Sequence, residues 1–246
     1  NISMRIQEKE NYQKELVQIH QEKVSNELIE TQAELNNPNN TKYKKFQRLN
    51  ESEQETLKQI LLDNRELYYT NKDKNTATFR TAFQEIVDSS MMSNVGQFKD
   101  IIKAIYKIEY FQICLEKIST GEYKSVIYDS TQNNDSLYRM KISHDTLLEY
   151  GLKIVDRYET LKKIIINKFP YILVDEYQDT AENVIKIINA LSIYSEQINF
   201  NLFIGYFGDR AQNIYDTGVG SDIDEIHPNL VSVNKRFNRR STKQVI

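Results

Sequence analysis

The sequence predicts an α/β protein: a parallel sheet with flanking helices, joined to a large, mainly helical region that includes an antiparallel helical hairpin. Three observations carry this reading. Tyr171, Ile172, Leu173 and Val174 form an apolar, partly β-branched run too short for a helix, the pattern of a strand buried on both faces of a parallel sheet. An apolar helical stretch (Val184, Ile185, Ile187, Ile188, Leu191, Ile193) and a second strand-like run, Leu202 to Phe207, follow it and complete a βαβ unit. Seven Gly and three Pro in 246 residues leave few tight turns, so long helices should fill most of the remainder.

Taken in order, residues 1–70 are expected to form the arm. Ile2, Ile6, Tyr12, Leu16, Ile19, Leu28 and Leu35 recur at loose helical spacing until Asn36-Asn37-Pro38-Asn39-Asn40 breaks the pattern. Tyr43, Phe46, Leu49, Leu57, Ile60, Leu61 and Leu67 give a second amphipathic stretch, which predicts a hairpin with a narrow, coiled-coil-like seam. Residues 71–120 predict a helical subdomain: Phe79, Phe83, Ile86 and Val87 on one helix, a pause from Ser89 to Gly96, then a helix from Phe98 to Ile118 that Gly121 stops. Residues 121–246 predict the α/β core. Its lead-in is a β-hairpin of 123–128 and 137–142 around a turn-forming Thr131-Gln132-Asn133-Asn134-Asp135. A helix begun by Ser143-His144-Asp145 and another from Glu159 to Asn167 then lead to Phe169-Pro170 and the first strand.

Composition bounds the function. Charged residues make up 27% and hydrophobic ones 39%, and a net charge of −3 gives no general pull toward nucleic acid. Any such binding must come from a local groove. No apolar run approaches the roughly 18 residues a membrane span needs, so no membrane partner is expected. The single cysteine, Cys114, allows no internal disulfide and suits a reducing compartment, hence a cytoplasmic placement.

The chemistry concentrates just after the first strand, at Asp175, Glu176, Gln178, Asp179 and Thr180. Carboxylates at the carboxyl end of a buried strand lie where open α/β sheets bind ligands. One such acid can hold Mg²⁺ while its neighbour orients or deprotonates a water. A bare Asp-Glu pair there is more often a solvated turn, but the ten residues 171–180 together are far less common. Ile-Leu-Val-Asp-Glu-Tyr-Gln-Asp-Thr resembles the Mg²⁺-binding motif of UvrD/Rep-like superfamily-1 helicases, and residues 145–180 follow that family's helical lead-in.

The resemblance continues. Gly208-Asp209-Arg210-Ala211-Gln212-Asn213-Ile214-Tyr215 is similar to the family's third motif, which implies that Gln212 senses the γ-phosphate and that Tyr215 offers a ring to a DNA base. The family usually continues with an aromatic, an Arg and a Gly, whereas this chain has Asp216-Thr217-Gly218. Asn238-Arg239-Arg240-Ser241 resembles the fourth motif and makes Arg240 the expected arginine finger, with Arg236 a second candidate.

By this likeness the core is a partial RecA-like ATPase domain using ATP and Mg²⁺: Asp175 on the metal, Glu176 on the water, Gln212 and Arg240 on the phosphates, Tyr215 on DNA. None of the seven glycines is followed by the phosphate-cradling Gly-x-x-x-x-Gly-Lys-Ser/Thr, which the family places upstream. The chain is therefore expected to be an internal fragment that hydrolyses ATP poorly by itself, drawn from an ATP-driven translocase on single-stranded or partly duplex DNA. The alternative is a non-catalytic scaffold on a degenerate ATPase domain, with the arm holding a protein partner.

Overall fold

The computed structural model describes residues 2–131, 133–209 and 223–233. The chain divides into two compact units, Asn1–His144 and Asp145–Ile246.

The first unit is helical. α1 (Ile2–Asn36) runs without interruption because no Gly or Pro occurs in it, and it ends where Asn37-Pro38 turns the chain. α2 (Lys44–Gln47), α3 (Glu51–Asp63), α4 (Arg65–Asn71) and α5 (Thr76–Phe83) are short, and α6 (Val95–Ser119) is the long helix they gather around. α1 lies along α6 and buries Leu16, Ile19, Val24 and Leu35. Phe79 and Phe83 stack 4.6 Å apart, and Phe98 of α6 meets Phe83 edge-on at 5.7 Å. The Tyr106 hydroxyl donates to the Leu61 carbonyl at 2.8 Å and ties α6 to α3. As expected, Gly121 ends α6: its φ of +74° is open to glycine at little cost.

The expected hairpin of two long helices gives way to this arrangement. The main partner of α1 is α6, and the second amphipathic stretch is divided at two asparagines. Asn50 starts α3 with a capping box, its Oδ1 accepting from the Glu53 amide while Glu53 accepts from the Asn50 amide, both at 2.9 Å. Asn64 leaves helical geometry and donates its side-chain amide to the Ile60 carbonyl at 2.8 Å. Short amide side chains compete with the backbone in this way, and the hydrophobic spacing does not register it.

The expected β-hairpin is also corrected. β1 (Ile127–Tyr128) and β2 (Lys141–Ile142) pair parallel. Leu137–Arg139 form a 3-10 turn instead of a strand, Met140 turns left-handed at φ 59°, and Ser136 pairs back antiparallel with Lys141. The turn reverses the chain, so Lys141 and Ile142 run with β1. Its anchor is the Leu137 carbonyl, which accepts from His20 Nε2 on α1 at 2.8 Å and from the Cys114 thiol on α6 at 3.6 Å.

The second unit follows the expected order. α7 (His144–Arg157) and α8 (Glu159–Lys168) precede β3 (Tyr171–Val174), α9 (Glu182–Gln197), β4 (Phe203–Tyr206) and α10 (Ile223–Ile226). β3 and β4 pair parallel with Tyr171 opposite Phe203 and Val174 opposite Tyr206, as a βαβ unit requires. Ile172 packs with Ile166, Leu191 and Tyr194; Val174 and Tyr206 pack with Tyr177, Ile185 and Ile223. The strand differs from expectation in one respect: among the described residues only this face is covered, and Tyr171, Leu173, Phe203 and Phe207 are exposed. Among the described residues no helix is long and apolar enough to cross a membrane.

Candidate functional site

The site lies where β3 and β4 end side by side. The Phe207 amide donates to the Val174 carbonyl at 2.8 Å, and the Tyr177 amide returns to the Phe207 carbonyl at 3.1 Å, so the two departing loops start locked together. Asp175 follows β3 directly. Glu176 then takes a left-handed conformation, φ 48° and ψ 48°, which costs a non-glycine residue about 1 kcal/mol. That kink turns the chain into the 3-10 turn Tyr177–Asp179 and leaves Asp175 and Glu176 both exposed. Asp175 Oδ1 accepts from the Glu176 amide at 3.1 Å.

Gln178 is the connector. It is 1% exposed, donates Nε2 to Glu176 Oε2 at 2.7 Å, and accepts at Oε1 from the Asp209 amide at 3.2 Å. One buried amide thus fixes the carboxylate at the end of β3 and the first loop residues after β4. Gly208 makes that approach possible, since a Cβ there would lie 2.1 Å from Gln178 Oε1 and 2.9 Å from Tyr177 Cδ1. Behind the site the Tyr206 hydroxyl and His227 Nδ1 meet at 2.8 Å, holding α10 to β4. Burial pushes the His227 imidazole below its usual range and the Tyr206 phenol above its own.

Of the residues singled out in the sequence, Asp175 and Glu176 stand together at the strand end. Gln212, Tyr215, Arg236 and Arg240 lie outside the described residues. Gln178 and Gly208 shape this geometry, and the motif resemblance assigns neither of them a role. Their signal was available: an amide set among three carboxylates, and a glycine at the mouth of the second strand.

A divalent cation carried by a nucleotide fits the donors present. Asp175 and Glu176 supply hard carboxylate oxygens, and Asp179 Oδ1 is buried with no hydrogen-bond partner among the described residues. Among those residues no cluster of three or more His, Cys, Asp or Glu could cage a metal alone. Mg²⁺ is ordinarily bound through one or two carboxylates together with substrate phosphates and waters, so an incomplete protein cage suits it.

The profile of the UvrD/REP helicase N-terminal domain matches residues 2–218. The chain is 50% identical over 240 residues to the Gabija protein GajB of Bacillus cereus (strain HuB5-5), covering 96% of this chain and 35% of that protein. It is 30% identical over 138 residues to the ATP-dependent DNA helicase PcrA of Bacillus subtilis (strain 168), covering 53% of this chain and 18% of PcrA. A probable DNA helicase II homolog of Mycoplasma capricolum is 27% identical over 157 residues, 58% of this chain and 21% of that protein. The chain thus spans about a third of the first relative and about a fifth of the other two. No solved structure matches.

Proposed function

Because the chain belongs to the UvrD/REP helicase N-terminal domain family, we propose that it is part of an ATP-driven motor that moves on single-stranded DNA. The observation that carries this reading is the Gln178 clamp, which joins Glu176 to the loop opening at Asp209. A change at the nucleotide is thereby linked to the segment containing Gln212 and Tyr215. In a RecA-like arrangement β3 and β4 are neighbouring strands of the motor sheet, and their carboxyl ends form the nucleotide edge.

Asp175 would hold Mg²⁺ through its exposed carboxylate, and the ion would supply positive charge against the phosphates. Glu176 positions the attacking water and accepts its proton. Gln178 keeps the Glu176 carboxylate aimed, since the 2.7 Å bond constrains Oε2 and leaves Oε1 for the water. Gln212 reports the γ-phosphate, Arg240 stabilises transition-state charge, and Tyr215 stacks on a base. These roles rest on motif likeness and on the adjacency of the β3 and β4 loops.

The test uses the full-length protein. Wild type shows DNA-stimulated ATP hydrolysis, and Glu176→Gln removes it by two or more orders of magnitude, the scale of a lost acid–base group. Equal rates with and without single-stranded DNA would rule out a DNA motor. A second reading, a scaffold on a degenerate ATPase domain, is favoured by Asp216-Thr217-Gly218 standing where the family grips DNA. It requires that Glu176→Gln leave partner binding intact and that wild type hydrolyse no ATP.

A further inference from the structure

The first unit contains a cavity of about 860 Å³ between α1, α4, α6 and the Leu137–Arg139 turn. Its lining holds five lysines and five tyrosines against three carboxylates, an excess of two positive charges in a chain whose net charge is −3. The lining therefore carries the sign opposite to the chain's net charge, which suits an anionic ligand. Lys107 pairs with Glu27 at 2.8 Å, and Lys23 approaches Asp135 at 4.0 Å. Lys72 and Lys103 stand exposed; Lys103 makes a 3.7 Å surface contact with Asp100, and such pairs are weak in water.

The aromatic wall is ordered in advance. Tyr69 and Tyr106 stack with ring centroids 6.1 Å apart, Tyr110 and Tyr138 stack at 4.8 Å, and the hydroxyls of Tyr69 and Tyr110 meet at 3.0 Å. Tyr69 is 47% exposed, with Lys72 Nζ 5.6 Å from its ring centroid. A free phosphate would use the ammonium groups but not this wall. A ligand combining an anion with a flat ring would use both, which is the recognition shared by proteins that hold unpaired nucleotides.

We propose that this cavity is a single-strand nucleic-acid contact, with Lys72 and Lys103 on the phosphates and an unpaired base or its sugar laid against the Tyr69–Tyr106 stack. It lies wholly in the first unit and uses none of the residues assigned to ATP. The motor reading and this one can therefore fail separately: Glu176→Gln abolishes hydrolysis without touching this contact.

The experiment is a fluorescence-anisotropy titration of a labelled oligothymidylate with the 246-residue chain at several salt concentrations. Lys72→Glu with Lys103→Glu should weaken binding at least tenfold and flatten the logarithmic salt slope by about 1.4, two phosphates at about 0.7 each. Tyr69→Leu should weaken binding about fivefold or more, while Tyr69→Trp retains it. Circular dichroism melts of each variant matching wild type keep a folding defect out of the comparison. Unchanged affinity and slope in the lysine variant overturn the site, and equal loss in Tyr69→Leu and Tyr69→Trp overturns the stacking role. Competition by thymidine monophosphate as effective as by the oligomer, at equal nucleotide concentration, assigns the cavity to free nucleotides and overturns the strand contact.

Discussion

Two single positions decide whether the candidate site keeps its shape. Gly208 has no room for a Cβ against Gln178 Oε1 and the Tyr177 ring, so Gly208→Ala forces one of them aside. Overpacking of this kind costs about 1–3 kcal/mol. Because Gln178 supplies the nearest atom, adding Gln178→Ala should relieve part of that cost. A double-mutant cycle in urea should show coupling of about 0.5–3 kcal/mol, and strict additivity would contradict the contact. His227 makes a pH-dependent contribution of predictable sign. Its folded pKa is lowered, chiefly by burial, so the folded state favours the neutral ring. The unfolded chain then binds the proton first as pH falls below about 6.5. Stability is full above that value and is lost as pH drops toward the folded pKa. His20 shifts the same way for the same cause in the other unit. His227→Gln should flatten the acid-side decline of the melting temperature; an unchanged decline would mean that other groups carry it.

At the scale of elements, α6 organises the first unit, with Phe98 fully buried between α5 and the helix's own apolar face. Phe98→Ala should lower unfolding free energy by about 3–5 kcal/mol in urea, and a loss under about 1 kcal/mol would show that the core relaxes to fill the space. The elements that the sequence made legible are those whose cause is local. α7, α8 and α9 declare themselves by apolar spacing, and β3 and β4 by short apolar runs closed by carboxylates or glycine. The divided second stretch was hidden because Asn50 and Asn64 act through side-chain amides that leave the hydrophobic period intact. The parallel pairing of β1 with β2 was hidden for a different reason. It depends on the Leu137 carbonyl being claimed by His20, 117 positions away, and no local pattern records that. The site shows the same division: Asp175 and Glu176 are motif letters, whereas the role of Gln178 appears only when Asp209 is brought beside it.

For the molecule as a whole, the exposed apolar side chains of the β3–β4 sheet have a consequence in solution. Tyr171, Leu173, Phe203 and Phe207 are 73, 62, 55 and 54% exposed, and they form one apolar surface on a sheet that has only two strands among the described residues. Open strand edges beside an apolar face are a template for pairing with another chain. A net charge of −3 on 246 residues offers little repulsion against it. The 246-residue chain should therefore self-associate, with a sedimentation coefficient that rises across a concentration series. Leu173→Lys combined with Phe203→Thr puts charge and polarity on that face. Since both side chains are already exposed, the change should alter stability by no more than about 0.5 kcal/mol per site. The variant should sediment as a monomer throughout the series. A wild-type chain that is monomeric at every concentration would contradict the prediction, and equal association of both proteins would locate the contact on another surface.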